Sequence, residues 1–331
     1  MSSSPQGVVA DLTEDRLLAQ VLPLLAGSRT ERVGPGDDAA VLDVASPLIA
    51  TTDTMVLGRD WRDDWSNAEQ VAAKAVVQNL ADIAAMGAVP TTLLLTLVLD
   101  PQTPLAWVLD FARALGEQCR RYAVSVAGGD LSSAPAGVKM VTITALGELA
   151  GAEPVLRSGA QPGDVLAISG PLGRSAVGLA LLERAASGTA LDAREEAALA
   201  HHRSPSAPLS QGPIAARAGA SAMLDVSDGL SRDAARIARA SGCLIEIDSA
   251  TLAPDLNWAE GLVPRDQARA CVLNGGEEHS LLATFPDRAS VPEYWRILGR
   301  VEAPAAGEDP GVHLDGRPLT EAGWDHFHPA R

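Results

Sequence analysis

The chain has 331 residues, 47% of them hydrophobic, and a formal net charge of −16. Its length exceeds one ordinary hydrophobic core and predicts two domains, and its apolar content excludes extended disorder. The charge excludes nucleic acid as a partner, and with Lys74 and Lys139 as the only lysines, a phosphate substrate would need divalent metal to neutralise it.

Residues 1–7 carry neither a basic start nor an apolar signal core, which predicts a cytoplasmic protein. Asp11-Leu-Thr-Glu14 reads as a capping box, followed by a helical stripe of Leu17, Leu18, Val21, Leu22 and Leu25. Residues 40–44 and 48–51 predict strands, 68–86 a long helix closed by Gly87, and 91–99 a strand buried on both faces. The apolar run 93–99 is too short to cross a bilayer. Residues 107–122 have helical periodicity, 124–127 predict a short strand stopped by Gly128-Gly129, and 138–147 another strand. Gly151-Ala-Glu-Pro and Gln161-Pro-Gly-Asp164 punctuate the middle and divide the chain into domains 1–150 and 151–331. In the second, 165–169, 223–226, 244–247 and 281–285 predict strands, and 175–186, 195–202 and 231–241 helices. The class is mixed α/β, with a Pro- and Gly-rich tail that shows no clear period. Cys119, Cys243 and Cys271 are odd in number and lack a Cys-x-x-Cys pair, which predicts buried, inert thiols.

Aspartates recur where apolar runs end: Asp37, Asp38, Asp53, Asp82, Asp130, Asp225 and Asp228. Each alone reads equally well as a cap or turn residue. As a set they are the oxygen donors that Mg²⁺ prefers. Two unit charges about 4 Å apart interact by roughly 4 kcal/mol at an effective dielectric near 20, so polyphosphate beside bare carboxylates is repelled and metal between them reverses the sign. No Gly-x-x-x-x-Gly-Lys-Ser/Thr loop occurs, nor the protein-kinase set of Gly-rich loop, lysine and His-Arg-Asp. Gly170-Pro-Leu-Gly173-Arg-Ser175 reads either as a phosphate cradle or as a plain strand-to-helix turn. His279 stays outside the catalytic set, and His201, His202, His313, His326 and His328 lack metal-ligand spacing.

Gly34-Pro-Gly-Asp-Asp-Ala39, Thr51-Thr-Asp-Thr54, Asn79-Leu-Ala-Asp-Ile-Ala-Ala-Met-Gly87 and Gly128-Gly-Asp130 occur in that order. Arg157-Ser-Gly-Ala-Gln-Pro-Gly-Asp164, Asp225-Val-Ser-Asp-Gly-Leu230, Gly275-Gly-Glu277 and Trp324-Asp-His-Phe327 follow. The series, which spans nearly the whole chain, resembles the thiamine-monophosphate kinase family. That resemblance implies the two-domain fold of aminoimidazole ribonucleotide synthetase, with N-terminal domains pairing into a dimer. It implies Mg²⁺ held by Asp38, Thr51, Thr52, Asp53, Asp82, Asp130, Asp225 and Asp228, ATP contacted by Gly129, Asp130, Arg157 and Ser227, and the thiamine part by Asp60, Glu277 and Trp324. An aromatic face with nearby carboxylates suits a cationic thiazolium, while Trp324 reads equally as a packed tail anchor. The sequence departs from the family at Glu277-Glu278-His279, where Glu-Asp-Tyr is usual, and at Arg59-Asp60, where some members carry Asn-His.

The implied reaction is ATP plus thiamine phosphate giving ADP plus thiamine diphosphate. Its nucleophile, a phosphomonoester oxygen with a second pKa of about 6, is already largely anionic near neutral pH, so no general base is needed. Other ATP-using enzymes of the fold are the nearest alternatives. Selenophosphate synthesis would want a Cys near the N-terminus and the hydrogenase-maturation enzyme a C-terminal one, whereas the first here is Cys119 and the sequence closes on His-Pro-Ala-Arg331. A non-catalytic Mg-ATP or thiamine diphosphate binding protein is the alternative of another class.

Overall fold

The computed structural model describes residues 7–25, 31–33, 40–149 and 151–324. It separates into two compact units, Met1–Ile83 with Pro90–Ala150, and Ala84–Val89 with Gly151–Arg331. Asp37 and Asp38 lie outside the described residues, as does the chain after Trp324.

In the first unit, α1 (Glu14–Val21) is capped by Thr13, whose hydroxyl accepts the Arg16 amide at 3.4 Å. The cap is therefore not Asp11, whose carboxylate accepts the Val8 amide at 2.8 Å and closes the turn before the helix. A short antiparallel pair follows, β1 (Glu31–Val33) with β2 (Val41–Leu42). Then come β3 (Leu48–Val56), α2 (Ala68–Ala85), β4 (Val89–Leu99), α3 (Leu105–Tyr122), β5 (Ser125–Ser133) and β6 (Lys139–Glu148), whose strands form one sheet in the order β3-β6-β4-β5.

That sheet is buried on one face. Leu93, Leu95, Leu97 and Leu99 of β4 are buried and Leu94, Thr96 and Val98 are partly exposed, so β4 is not covered on both faces as its leucine run suggests. Val141, Ile143 and Ala145 of β6 follow the same alternation against Met140, Thr142 and Thr144. Val76, Leu80 and Ile83 of α2 and Val108, Phe111 and Leu115 of α3 are wholly buried. Each such side chain contributes about 1.5–3 kcal/mol by leaving water, which makes these two helices the core of the unit.

β5 also differs from expectation. It runs through Gly128-Gly129, because a bulge sets Val126 opposite Leu93 and Gly128 opposite Leu94 and carries the pairing on to Ser133. A Cβ on Gly129 would lie 1.8 Å from the Leu95 carbonyl oxygen, so glycine here permits close strand approach.

The second unit contains β7 (Val165–Ser169), α4 (Arg174–Ala186), α5 (Ala193–Arg203), α6 (Gln211–Arg217), β8 (Ala222–Asp225), α7 (Leu230–Ser241), β9 (Leu244–Ile247), α8 (Ala253–Glu260), α9 (Arg265–Asn274), β10 (Leu281–Phe285), β11 (Arg296–Glu302), β12 (Gly311–Leu314) and β13 (Arg317–Pro318). The tail without a clear period thus supplies three strands. The seven strands order as β13-β12-β9-β11-β7-β10-β8, with β9 and β12 parallel and the other pairs antiparallel. β8 and β10 are buried at every residue. Ala84 and Ala85 join Val155, Ala215, Met223, Ala283, Phe285 and Trp295 in one cluster, where Phe285 and Trp295 meet edge to face at 5.4 Å.

Candidate active site

In the first unit the acidic residues sit on three neighbouring elements. β3 directs Thr51 and Asp53 to the side where α2 lies, because alternate residues of a strand share a face. Thr51 donates its hydroxyl to Asp82 of α2 at 2.7 Å, and the Asp53 amide donates to the Asn79 side chain at 3.0 Å. Asn79 and Asp82 are three apart and so point the same way from α2. Asn79, itself buried, anchors its amide on the Ala75 carbonyl at 2.9 Å. Thr52 lies on the opposite face, bonded to the Ile143 carbonyl and the Thr144 hydroxyl at 3.1 Å each, so the two threonines named together in sequence part company. Asp130, beyond Gly129 on β5, is exposed and accepts the Ser132 hydroxyl at 2.7 Å. Asp60 accepts the Val56 amide at 2.7 Å and thereby closes the turn after β3.

In the second unit the site is the turn between β8 and α7. Segment 277–280 runs back along it, with Glu277 N bonded to Ser227 O at 2.8 Å, His279 N to Val226 O at 3.0 Å and Val226 N to Ser280 O at 2.8 Å. Asp225 is buried and meets His279 Nδ1 at 3.0 Å. Asp228 is ion-paired with Arg236, which also donates to Asp233 at 2.5 Å. Asp233 accepts the Asp228 and Gly229 amides at 2.9 and 3.0 Å, a carboxylate on the free amides at the start of α7. Burial, reinforced by the Asp225 charge, pushes the Asp233 carboxyl up to about 7 against the pull of Arg236. Trp324 docks on the same turn, its amide 3.1 Å from the Asp228 carbonyl, with its carbonyl taking an Arg232 donor at 2.5 Å. Arg157 is exposed, and its carbonyl accepts the Ser241 hydroxyl at 3.2 Å.

Glu277 and His279 both adopt left-handed backbone, at φ 60 and 55. For residues with a Cβ this costs on the order of 1 kcal/mol or more and persists only where surrounding contacts impose it. Among the described residues, no three His, Cys, Asp or Glu groups lie close enough together to hold a metal ion. The carboxylate and hydroxyl donors are nonetheless the hard oxygens that Mg²⁺ takes, and that ion commonly binds through one or two carboxylates plus substrate phosphate and water.

Residues 36–149 match the AIR synthase related protein, N-terminal domain, and residues 161–305 the corresponding C-terminal domain. Over 303 residues the sequence is 40% identical to the thiamine-monophosphate kinase of Mycobacterium tuberculosis, covering 90% of this chain and 86% of that protein. The chain belongs to the thiamine-monophosphate kinase family. The Corynebacterium glutamicum member is 39% identical, covering 88% of this chain and 87% of that one. Among solved structures, AaThiL complexed with AMPPCP and TMP superposes with a TM-score of 0.76 at 31% identity, covering 88% of this chain and 91% of that chain.

Within this family setting, the departure at Glu278-His279 has a visible consequence: His279 turns inward onto Asp225 and Glu278 is wholly buried. Sequence reasoning passed over His279, Asp233 and Arg236. The spacing of Arg232, Asp233 and Arg236 on α7 after Asp228, with opposite charges at three and four residues, is the signal that could have found the last two.

Proposed function

We propose that this chain transfers the γ-phosphoryl group of ATP to the phosphate of thiamine phosphate, releasing ADP and thiamine diphosphate. The observation that carries this reading is the whole-length likeness to AaThiL, whose complex holds AMPPCP and TMP, an ATP analogue and a monophosphate. The acceptor oxygen is anionic near neutral pH, so the protein's tasks are alignment and charge control, and no side chain serves as base.

For ATP we assign Gly129, Asp130, Arg157 and Ser227, as the family resemblance implies. Asp53, Asp82, Asp130 and Thr51, and likewise Asp225 and Asp228, would hold Mg²⁺, which when bound supplies neutralisation of phosphate charge, while Thr52, whose hydroxyl lies on the other face of β3, is assigned by its motif alone. Asp38 is assigned with them by its motif alone. Glu277 and Trp324 are assigned to the thiazolium cation: the backbone of each is bonded to the 226–228 turn, one through Ser227 O and the other through Asp228 O, and a carboxylate with an aromatic face suits that cation. Asp60 is assigned to the same substrate, although its carboxylate also holds the Val56 amide.

Two further parts of the reading concern assembly and place. The half-covered face of the first unit's sheet, with Leu94, Val98, Met140 and Leu146 partly exposed, supports a homodimer through that sheet. Among the described residues no helix is long and apolar enough to cross a membrane, which agrees with action in the cytoplasm where ATP is supplied. Purified protein, ATP, Mg²⁺ and thiamine phosphate should yield ADP and thiamine diphosphate in equal amounts by chromatography, and EDTA should stop both. Binding of Mg-ATP with no ADP released would overturn the assignment.

A further inference from the structure

Ser175, the second residue of α4, joins three side chains that reach it from two distant segments. Its amide donates to Glu278 Oε1 at 2.5 Å, its hydroxyl lies 3.3 Å from Glu277 Oε2, and His202 Nδ1 lies 2.9 Å from the same hydroxyl. His202 Nδ1 is also 3.4 Å from Glu277 Oε2, and His201 Nε2 faces Glu278 Oε2 at 3.4 Å, an ion-pair distance without hydrogen-bond geometry. Both histidines belong to the last turn of α5, which Gly178 lets approach α4: a Cβ there would fall 2.6 Å from His202 Cβ and 2.9 Å from the Ala198 carbonyl.

The hydrogen-bond directions follow from the chemistry of the groups. An ionised carboxylate only accepts, so a bond from Ser175 to Glu277 uses the single serine proton, and His202 then donates from Nδ1 to the serine oxygen in the tautomer that carries its proton there. Glu278, wholly buried, places its carboxyl on the Ser175 amide at the start of α4, where an acidic group is favoured. Glu278 therefore anchors the segment, while Glu277 keeps Oε2 in the network with its side chain still 36% exposed. The left-handed backbone at Glu277 is imposed by these contacts.

We propose that Ser175 and His202 are positioning residues that hold the Glu277 carboxylate in the one orientation that meets the acceptor's cationic ring. The proposal rests on the kinase reading above and deepens it. A partly exposed glutamate without such support samples several rotamers, and the entropy lost in fixing it is charged to acceptor binding. Removing the support weakens thiamine phosphate binding and spares phosphoryl transfer itself.

The test is a set of steady-state measurements on the full chain with Ser175→Ala, His202→Ala, His202→Gln, Glu277→Ala and the Ser175→Ala/Glu277→Ala double variant. Loss of one hydrogen bond to a charged group predicts a rise of about tenfold in KM for thiamine phosphate for Ser175→Ala and His202→Ala, with kcat and KM for ATP within about twofold. His202→Gln, which retains a donor, should recover most of the loss. In the Glu277→Ala background, Ser175→Ala should add nothing further. Wild-type protein that forms no thiamine diphosphate overturns the kinase reading, and the proposal with it. Wild-type turnover combined with additive Ser175 and Glu277 effects, or with kcat and both KM values changing in step with a lowered Tm, overturns the positioning proposal alone.

Discussion

The two units hold their carboxylates differently. Asp82 and Asp130 of the first unit take hydroxyl donors, from Thr51 and Ser132, whereas Asp225, Asp228 and Asp233 of the second are matched with His279 and Arg236. A hydroxyl directs a carboxylate without cancelling its charge; a guanidinium does both. The first arrangement suits groups whose charge is to be used on a cation, and the second suits groups that must also hold the start of a helix together.

That contrast breaks most sharply under charge removal in the first unit. Asp53→Asn and Asp130→Asn should each lower kcat by about a thousandfold or more, the scale of losing a key electrostatic group, with Tm within a few degrees of wild type. Steady-state kinetics alongside thermal melts checks this, and a large Tm loss with activity kept would reverse the roles assigned to the two units.

In the second unit the effect should be on stability. Asp233 is wholly buried and its carboxyl sits at about 7 even with Arg236 opposing the effect of burial, so in Arg236→Ala it takes up a proton near neutral pH; the loss of the charged hydrogen bonds to Asp233 and Asp228 should cost on the order of 1.5–3 kcal/mol, which urea denaturation reads directly. A variant as stable as wild type would show that the α7 charges are ornamental to folding.

A smaller effect is expected at Asp255, which accepts the Leu172 amide at 3.1 Å and pairs with Arg296. Burial raises its carboxyl above the ordinary aspartate value of 3.8, with Arg296 opposing. The folded state then holds the proton more firmly than the unfolded chain, so the group's contribution to stability falls as pH rises from about 3.8 through its folded value. The Tm advantage of wild type over Asp255→Asn should therefore narrow as pH rises from about 4, and a widening gap would contradict the shift.

The smallest effect concerns the thiols. Burial pushes Cys119 up to about 12 and Cys271 to about 11, and raises Cys243 as well. Native protein at pH 8 should resist alkylation at all three, and mass spectrometry should find them modified only after denaturation.

Most helices and strands were legible because their signals are local, though α6, α8 and α9 were not expected. The apolar period of α2 with its closing Gly87, and the alternation in β6, need no knowledge of the rest of the chain. Where partners decide, the sequence was silent. Gly129 fits in β5 because the Leu95 carbonyl lies too close there for a Cβ, a contact made across the sheet. The one-sided burial of β4 was hidden because leucine occupies both of its faces. Segment Ala84–Val89 groups with the second unit through Ala84 and Ala85, a grouping that no single cut in the chain describes. The order of the aspartate motifs was readable, but the pairing of Asp225 with His279 crosses 54 positions and leaves no local trace.

A single turnover with ATP labelled at the γ-phosphorus tests the central claim most directly. Enzyme in excess over labelled ATP, with Mg²⁺ and thiamine phosphate, is quenched in time and separated into protein and small molecules. Direct transfer predicts label moving from ATP to the terminal phosphate of thiamine diphosphate, with none on the protein at any time. Label retained on the protein, or released only as inorganic phosphate, would contradict it.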